Sequence, residues 1–173
     1  GNVAGSALTL TSFTLDTAAA TPSETTAVTA LTNDVTPDVV ITTTQAGTIV
    51  VGGTAGCGVA DSAVTSGQQT VTLTASGGDK AYTCTIAFTD SAGNAAGSAL
   101  TLTSFTIDTA VSTPTETTVV TTPTKDTTPD VVITTTQAGT IAVGGTTGCG
   151  VGDSAVASGA NTCLLYTSDA ADE

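Results

Sequence analysis

Tyr82-Thr83-Cys84-Thr85-Ile86-Ala87-Phe88-Thr89-Asp90-Ser91-Ala92-Gly93-Asn94 is the stretch on which the fold turns. Along an extended chain Tyr82, Cys84, Ile86 and Phe88 share one face and Thr83, Thr85 and Ala87 the other, because side chains alternate with period two. Threonine, β-branched and hydroxylated, suits a pleated surface that faces water. The run closes in Asp90–Asn94, a cluster of turn-forming residues.

The same signature recurs outward in both directions. Thr70-Val71-Thr72-Leu73-Thr74 places Val71 and Leu73 on one face, and further strands are expected at Thr25 to Leu31, Asp38 to Thr44, Thr48 to Val51 and Ala99 to Asp108. Turns fall at Asn33-Asp34, Ala46-Gly47, Gly52-Gly53 and Gly77-Gly78-Asp79. In the last strand Leu100 and Leu102 are even-numbered but Phe105 and Ile107 odd, so one extra residue near Thr103 or Ser104 would restore a single buried face. About seven strands in roughly ninety residues without a helical insert predict two packed antiparallel sheets, an all-β immunoglobulin-like sandwich, in preference to a barrel. Gly52 to Gly58 lacks the lysine and helix of a phosphate loop and reads as a flexible turn.

The pattern is repeated. Gly1-Asn2 through Thr70 realigns without a gap on Gly93-Asn94 through Thr162, a constant offset of 92 residues. Such a period suits a whole small β-domain strung in series. Residues 1–16 then read as the closing strand of a preceding repeat, 17–108 as one complete repeat and 109–162 as a truncated one, expected to be unstable alone. At Cys163 the correspondence stops. The string Cys163-Leu164-Leu165-Tyr166-Thr167-Ser168-Asp169-Ala170-Ala171-Asp172-Glu173 resembles the translation of a transposon-end sequencing adapter, so 163–173 is expected to be a non-native tail on a fragment of an environmental gene, outside the fold.

Composition removes most chemistry. The chain has no histidine, arginine, tryptophan or methionine, and its Lys+Arg total of 2 faces 15 acids for a net charge of −13. Histidine-based triads, histidine metal ligands and arginine phosphate clamps are excluded together. Nucleic acid and anionic membrane surfaces need a basic patch that two lysines cannot form, and no apolar run is long enough to span a bilayer or open a signal peptide. Paired Thr-x-Thr runs such as Thr9-Leu10-Thr11 are too short for an ice- or sugar-binding array and read as strand surface.

Three groups of residues carry a family likeness: Tyr82 to Asn94, Ser104-Phe105-Thr106-Ile107-Asp108-Thr109-Ala110, and Thr124-Lys125-Asp126-Thr127-Thr128-Pro129. They resemble the bacterial Ig-like repeats of large surface adhesins and biofilm-associated proteins, over residues 1–162. The delayed proline in Asp108-Thr109-Ala110-Val111-Ser112-Thr113-Pro114 departs from that family's junction. The resemblance implies a non-enzymatic spacer in a secreted or cell-surface protein, with neighbouring repeats as partners and host or biofilm ligands reached through other domains. The rival reading is a module that itself grips carbohydrate or protein through its loops.

Cys57 and Cys84 are expected to form a disulfide, since Cys84 faces the core and a small aromatic-poor secreted domain gains from a staple. A metal site or catalytic thiol lacks the accompanying C-x-x-C or histidine. Cys149 repeats Cys57, its partner lost with the truncation. Calcium is the one cofactor worth arguing, because hard cations take oxygen ligands and aspartates cluster in the turns. If strands run from pole to pole, Asp16 arrives beside Asp90 and Asn94, while Asp34, Asp79 and Asp108 meet at the other end. Calcium between repeats is implied by the family at Asp16, Asp90 and Asp108. Turn-making explains the same residues, and no D-x-D-x-D-G loop is present.

Overall fold

The computed structural model describes residues 5, 8–144, 149–151 and 155–167; the side chains of Cys149, Val151, Tyr166 and Thr167 lie outside that description. The pairing of Cys149, residues 1–4 and 6–7 of the opening segment, and 168–173 of the tail therefore also fall outside it. Two compact units divide the chain, Gly1–Thr109 and Ala110–Glu173.

Unit 1 contains β1 (Ser23–Thr26), β2 (Leu31–Thr32), β3 (Asp38–Thr43), β4 (Gly47–Gly53), β5 (Cys57–Val59), β6 (Ala63–Val64), β7 (Gly67–Ala75), β8 (Lys80–Tyr82), β9 (Cys84–Asp90), β10 (Leu100–Thr101) and β11 (Phe105–Ile107). One antiparallel sheet has the order β1-β3-β7-β5. The facing layer combines β10-β9-β4-β6 with β2-β11-β8. These two pieces run on from each other, since β8 and β9 are parted only by Thr83 and Leu102 N donates to Cys84 O across the break (2.9 Å). The result is the immunoglobulin-like β-sandwich expected from the strand pattern.

Alternation builds the core as predicted. Tyr82, Cys84 and Ile86 are fully buried and Phe88 nearly so, facing Val39, Ile41, Val71 and Leu73 of the other sheet. The predicted bulge is present: Leu100 pairs with Ile86 but Phe105 with Tyr82, one residue out of step, so Leu102 and Phe105 both point inward. Glu24 Oε2 accepts from Thr103 N (2.9 Å) and Thr103 Oγ1 (2.8 Å), tying the bulge to β1 of the opposite sheet.

Three strand expectations need correction. Thr25 to Leu31 is not one strand: β1 pairs antiparallel with β3, whereas β2 pairs parallel with β11 in the other layer. The chain crosses between sheets here and buries Val28 on the way; alternation records which face is apolar, never which neighbour a strand pairs with. Tyr82 to Phe88 is likewise interrupted at Thr83, opposite the bulge. Finally, the turn expected over Gly52 to Gly58 is confined to residues 54–56, closed by Cys57 N donating to Thr54 O (2.9 Å), because Gly52 and Gly53 end β4 and Cys57 and Gly58 begin β5. Gly53 makes this corner possible. Its φ is +102°, and a Cβ there would lie 2.3 Å from Thr83 O, so only glycine fits.

Tyr82 ties β8 to the turn before it. Its hydroxyl donates to Gly78 O (2.9 Å) and its ring stacks on Phe105 with centroids 5.6 Å apart. Tyr82→Phe is expected to cost about 1 kcal/mol, read as a shift in the urea midpoint at constant slope. No shift would show that water serves the Gly78 carbonyl equally well.

Unit 2 repeats the plan in part, with β12 (Thr115–Thr118), β13 (Asp130–Thr135), β14 (Gly139–Thr140), β15 (Cys149–Val151), β16 (Ala155–Val156) and β17 (Gly159–Thr167). Its sheet has the order β12-β13-β17-β15, beside the pair β14-β16. The tail does not stay outside the fold over its first five residues. Cys163 and Leu164 pair with Val131 and Asp130 inside β17, and Cys163 is buried. Alternating Cys163 and Leu165 take the places that Val71 and Leu73 hold in β7, and alternation is all that a strand requires. Among the described residues, unit 2 has no strands corresponding to β8–β11.

Candidate functional site

The end of β9 and the chain entering unit 1 meet at one pole. The turn is shaped by Asp90, whose Oδ1 accepts from Ala92 N (2.9 Å) and Asn94 N (2.8 Å) and whose Oδ2 accepts from Asn94 Nδ2 (2.9 Å). Asn94 Nδ2 also donates to Asp16 O (3.0 Å), so the expected meeting of Asp16, Asp90 and Asn94 is present.

Gln45 completes this pole. Its Nε2 donates to Asp16 Oδ2 (2.8 Å) and Ala18 O (3.1 Å), and its Oε1 accepts from Ala20 N. Thr43, itself buried, holds the Gln45 backbone by donating Oγ1 to Gln45 O (3.1 Å). Residues 16–20 form no strand, yet they are stitched to the domain end by two amide side chains. Gln45 was not singled out from the sequence. Its signal was its recurrence as Gln137 in the second T-T-T-Q-A-G-T-I.

The Asn94 side-chain amide, outweighing the opposing effect of burial and aided by the backbone N–H groups of Asn94, Ala92 and Gly93, holds the Asp90 carboxyl below its usual value near 3.8. A depressed folded-state value stabilises the fold above the unfolded value, and that contribution is lost as pH falls through the folded one. Unit 1 is therefore expected to lose stability on acidification below about pH 4, with Asp90→Asn flattening that limb of the profile. Parallel profiles for the two proteins would remove Asp90 from the acid transition.

At the opposite pole, Asp34 Oδ1 accepts from Thr36 N (2.8 Å) and Asp79 Oδ1 from Thr109 N (3.0 Å). Asp108 N and Asp34 N both donate to Thr32, at its carbonyl (3.0 Å) and its hydroxyl (3.0 Å). The topology thus gathers Asp34 and Asp108 about Thr32, and Asp79 beside Thr109, which follows Asp108. Among the described residues no three His, Cys, Asp or Glu side chains are grouped to hold a metal ion. At the Asp16 pole the carboxylate oxygens face N–H donors, the partners of a turn rather than of a cation.

The Cys57–Cys84 disulfide is formed, with Cα atoms 5.8 Å apart. Cys57 begins β5 of one sheet and Cys84 begins β9 of the other, so the bond staples the two layers.

A family model described as "Bacterial Ig-like domain" matches residues 9–109. No curated protein and no solved structure matches the chain.

Proposed function

The chain belongs to the bacterial Ig-like domain family, and from that premise we propose that it is a spacer: tandem modules of a secreted or cell-surface adhesin-like protein that extend a distal binding head and carry load. Domains of this family are typically extracellular or surface-exposed and not typically enzymatic, and a disulfide suits an oxidising compartment. The single observation carrying the reading is the stitching of residues 16–20 to the domain end by Gln45 and Asn94. A spacer keeps a set reach and orientation only if the chain joins each module in a defined direction. A free linker would let successive modules swivel.

The test is Gln45→Ala with Asn94→Ala in the full chain. The Ala18 and Ala20 amides are expected to exchange at least about tenfold faster, while the Ile41 and Leu73 amides of the core strands keep their protection. Unchanged exchange, or binding of the wild-type protein to a glycan array, would favour the loop-binding alternative instead. Calcium between repeats remains part of this proposal, at Asp16 and Asp90 with Asn94 at one pole and at Asp108 with Asp34 and Asp79 at the other. At Asp16 and Asp90 the ion would have to replace the N–H donors now on the carboxylate oxygens. A rise in melting temperature on adding millimolar calcium would assign it a role.

A further inference from the structure

Tension along a string of modules enters unit 1 at residues 16–20 and leaves at Thr109, at opposite poles of the sandwich. The entry is held by Gln45 and Asn94. The exit is held by Asp79 Oδ1, which accepts from Thr109 N (3.0 Å) and Thr109 Oγ1 (2.7 Å). From the entry the chain passes along β1, crosses between the sheets at buried Val28 and continues as β2, which lies parallel to β11, the strand that ends at the exit.

Parallel strands pulled from opposite ends are loaded in shear. The bonds from Thr106 N to Ala30 O (2.8 Å) and from Asp108 N to Thr32 O (3.0 Å) then share the tension, instead of opening one at a time as in a peeled hairpin. β11 is also drawn lengthwise along its antiparallel partner β8. This ladder joins the two attachment points, and neither Cys57 nor Cys84 lies on the path. Once β2 and β11 part, tension reaches the segments flanking the disulfide, residues 17–56 and 85–108, and these straighten. The residues between the two cysteines cannot, because Cα atoms 5.8 Å apart bridge a sequence separation of 27. Fully extended, that stretch would otherwise add about 90 Å.

We infer that the Cys57–Cys84 bond is an extension stop: an overloaded module yields at the β2–β11 ladder and lengthens by its two flanks alone, while β5 to β8 stay closed in a loop. The inference rests on the spacer reading and adds to it how a module gives way. The loop contains β7 with Val71 and Leu73, and it ends at Cys84, the first residue of β9. Part of the core is therefore kept close together while the flanks are drawn out, which lowers the entropy cost of refolding when the load relaxes.

Holding the full chain by its two ends at constant load, with and without dithiothreitol, tests this. Rupture of unit 1 is expected first. In dithiothreitol a second lengthening of about 90 Å in contour follows, as the exposed disulfide is reduced to two thiols and the reagent closes to its cyclic disulfide. Without the reagent that step is absent. It also disappears in Cys57→Ala with Cys84→Ala, whose first step is longer by the same amount. Val28 on the load path and Val64 inside the loop are 8% and 5% exposed, and form a matched pair. Val28→Ala is expected to shorten the folded lifetime under load at least about tenfold and Val64→Ala less than about threefold, because only contacts broken at the barrier change the unfolding rate. No thiol-dependent step, or one that precedes rupture, overturns the stop, and equal shortening by the two variants overturns the load path. Neither result alters amide exchange at Ala18 and Ala20, by which the spacer reading is judged.

Discussion

Replacing Cys57 and Cys84 together by alanine is expected to destabilise unit 1 by about 3.5 kcal/mol, the chain-entropy value for closing a loop of this size, given a sequence separation of 27. For a domain of this size that corresponds to a fall of roughly 15–25 °C in melting temperature. The bond matters because of where it lies. It joins β5 to β9, and so one sheet to the other, in a core whose only fully buried aromatic side chains are Tyr82, Phe88 and Phe105. A small sandwich with few large side chains gains less from burial, and a crosslink that restricts the unfolded chain offsets the shortfall. Calorimetry on the double variant, beside wild type in reducing buffer, checks it. A drop below about 1 kcal/mol would mean that β5 and β9 are held by packing alone, and the staple account would fail.

The second large effect is at Phe88. Its side chain is 2% exposed, it pairs across to Ile49, and its ring lies against the Gly47 backbone. Phe88→Ala should cost about 3–5 kcal/mol, because the wall formed by the Gly47 main chain has no side chain with which to collapse into the space. Val50, next to Ile49 on β4 but 70% exposed, is the control, and Val50→Ala is expected to change stability by less than about 0.5 kcal/mol. Urea unfolding measures both. Equal costs at the two positions would show that β4 and β9 do not present one buried and one solvated face.

Face assignment was legible throughout. Val71 and Leu73, Tyr82 to Phe88, and the bulge between Leu100 and Phe105 were readable because burial follows side-chain period, and period is a local property. The meeting of Asp16 with Asp90 and Asn94 was also reachable, from strand count and polarity. Gln45 was not. A glutamine just past the end of a strand has no preferred role until folding brings Asp16 within its reach, 29 positions away in sequence. Tyr82 as a corner was legible in hindsight, since a tyrosine two residues before a strand cysteine is a known sandwich signal. The residues following Thr162 illustrate the opposite limit: unrelated in sequence to the first repeat, Cys163 to Thr167 continue β17 because their apolar residues alternate.

Taken alone, the order of residues determined that this chain makes strands, which side of each turns inward, where the copies repeat and which chemistries two lysines and no histidine forbid. Those are consequences of local periodicity and composition. Only the assembled sandwich decided that residues 25–31 divide between two sheets and that Gln45 reaches Asp16. Pairing depends on which edge is vacant in three dimensions, and a vacancy is a property of the neighbours rather than of the segment itself.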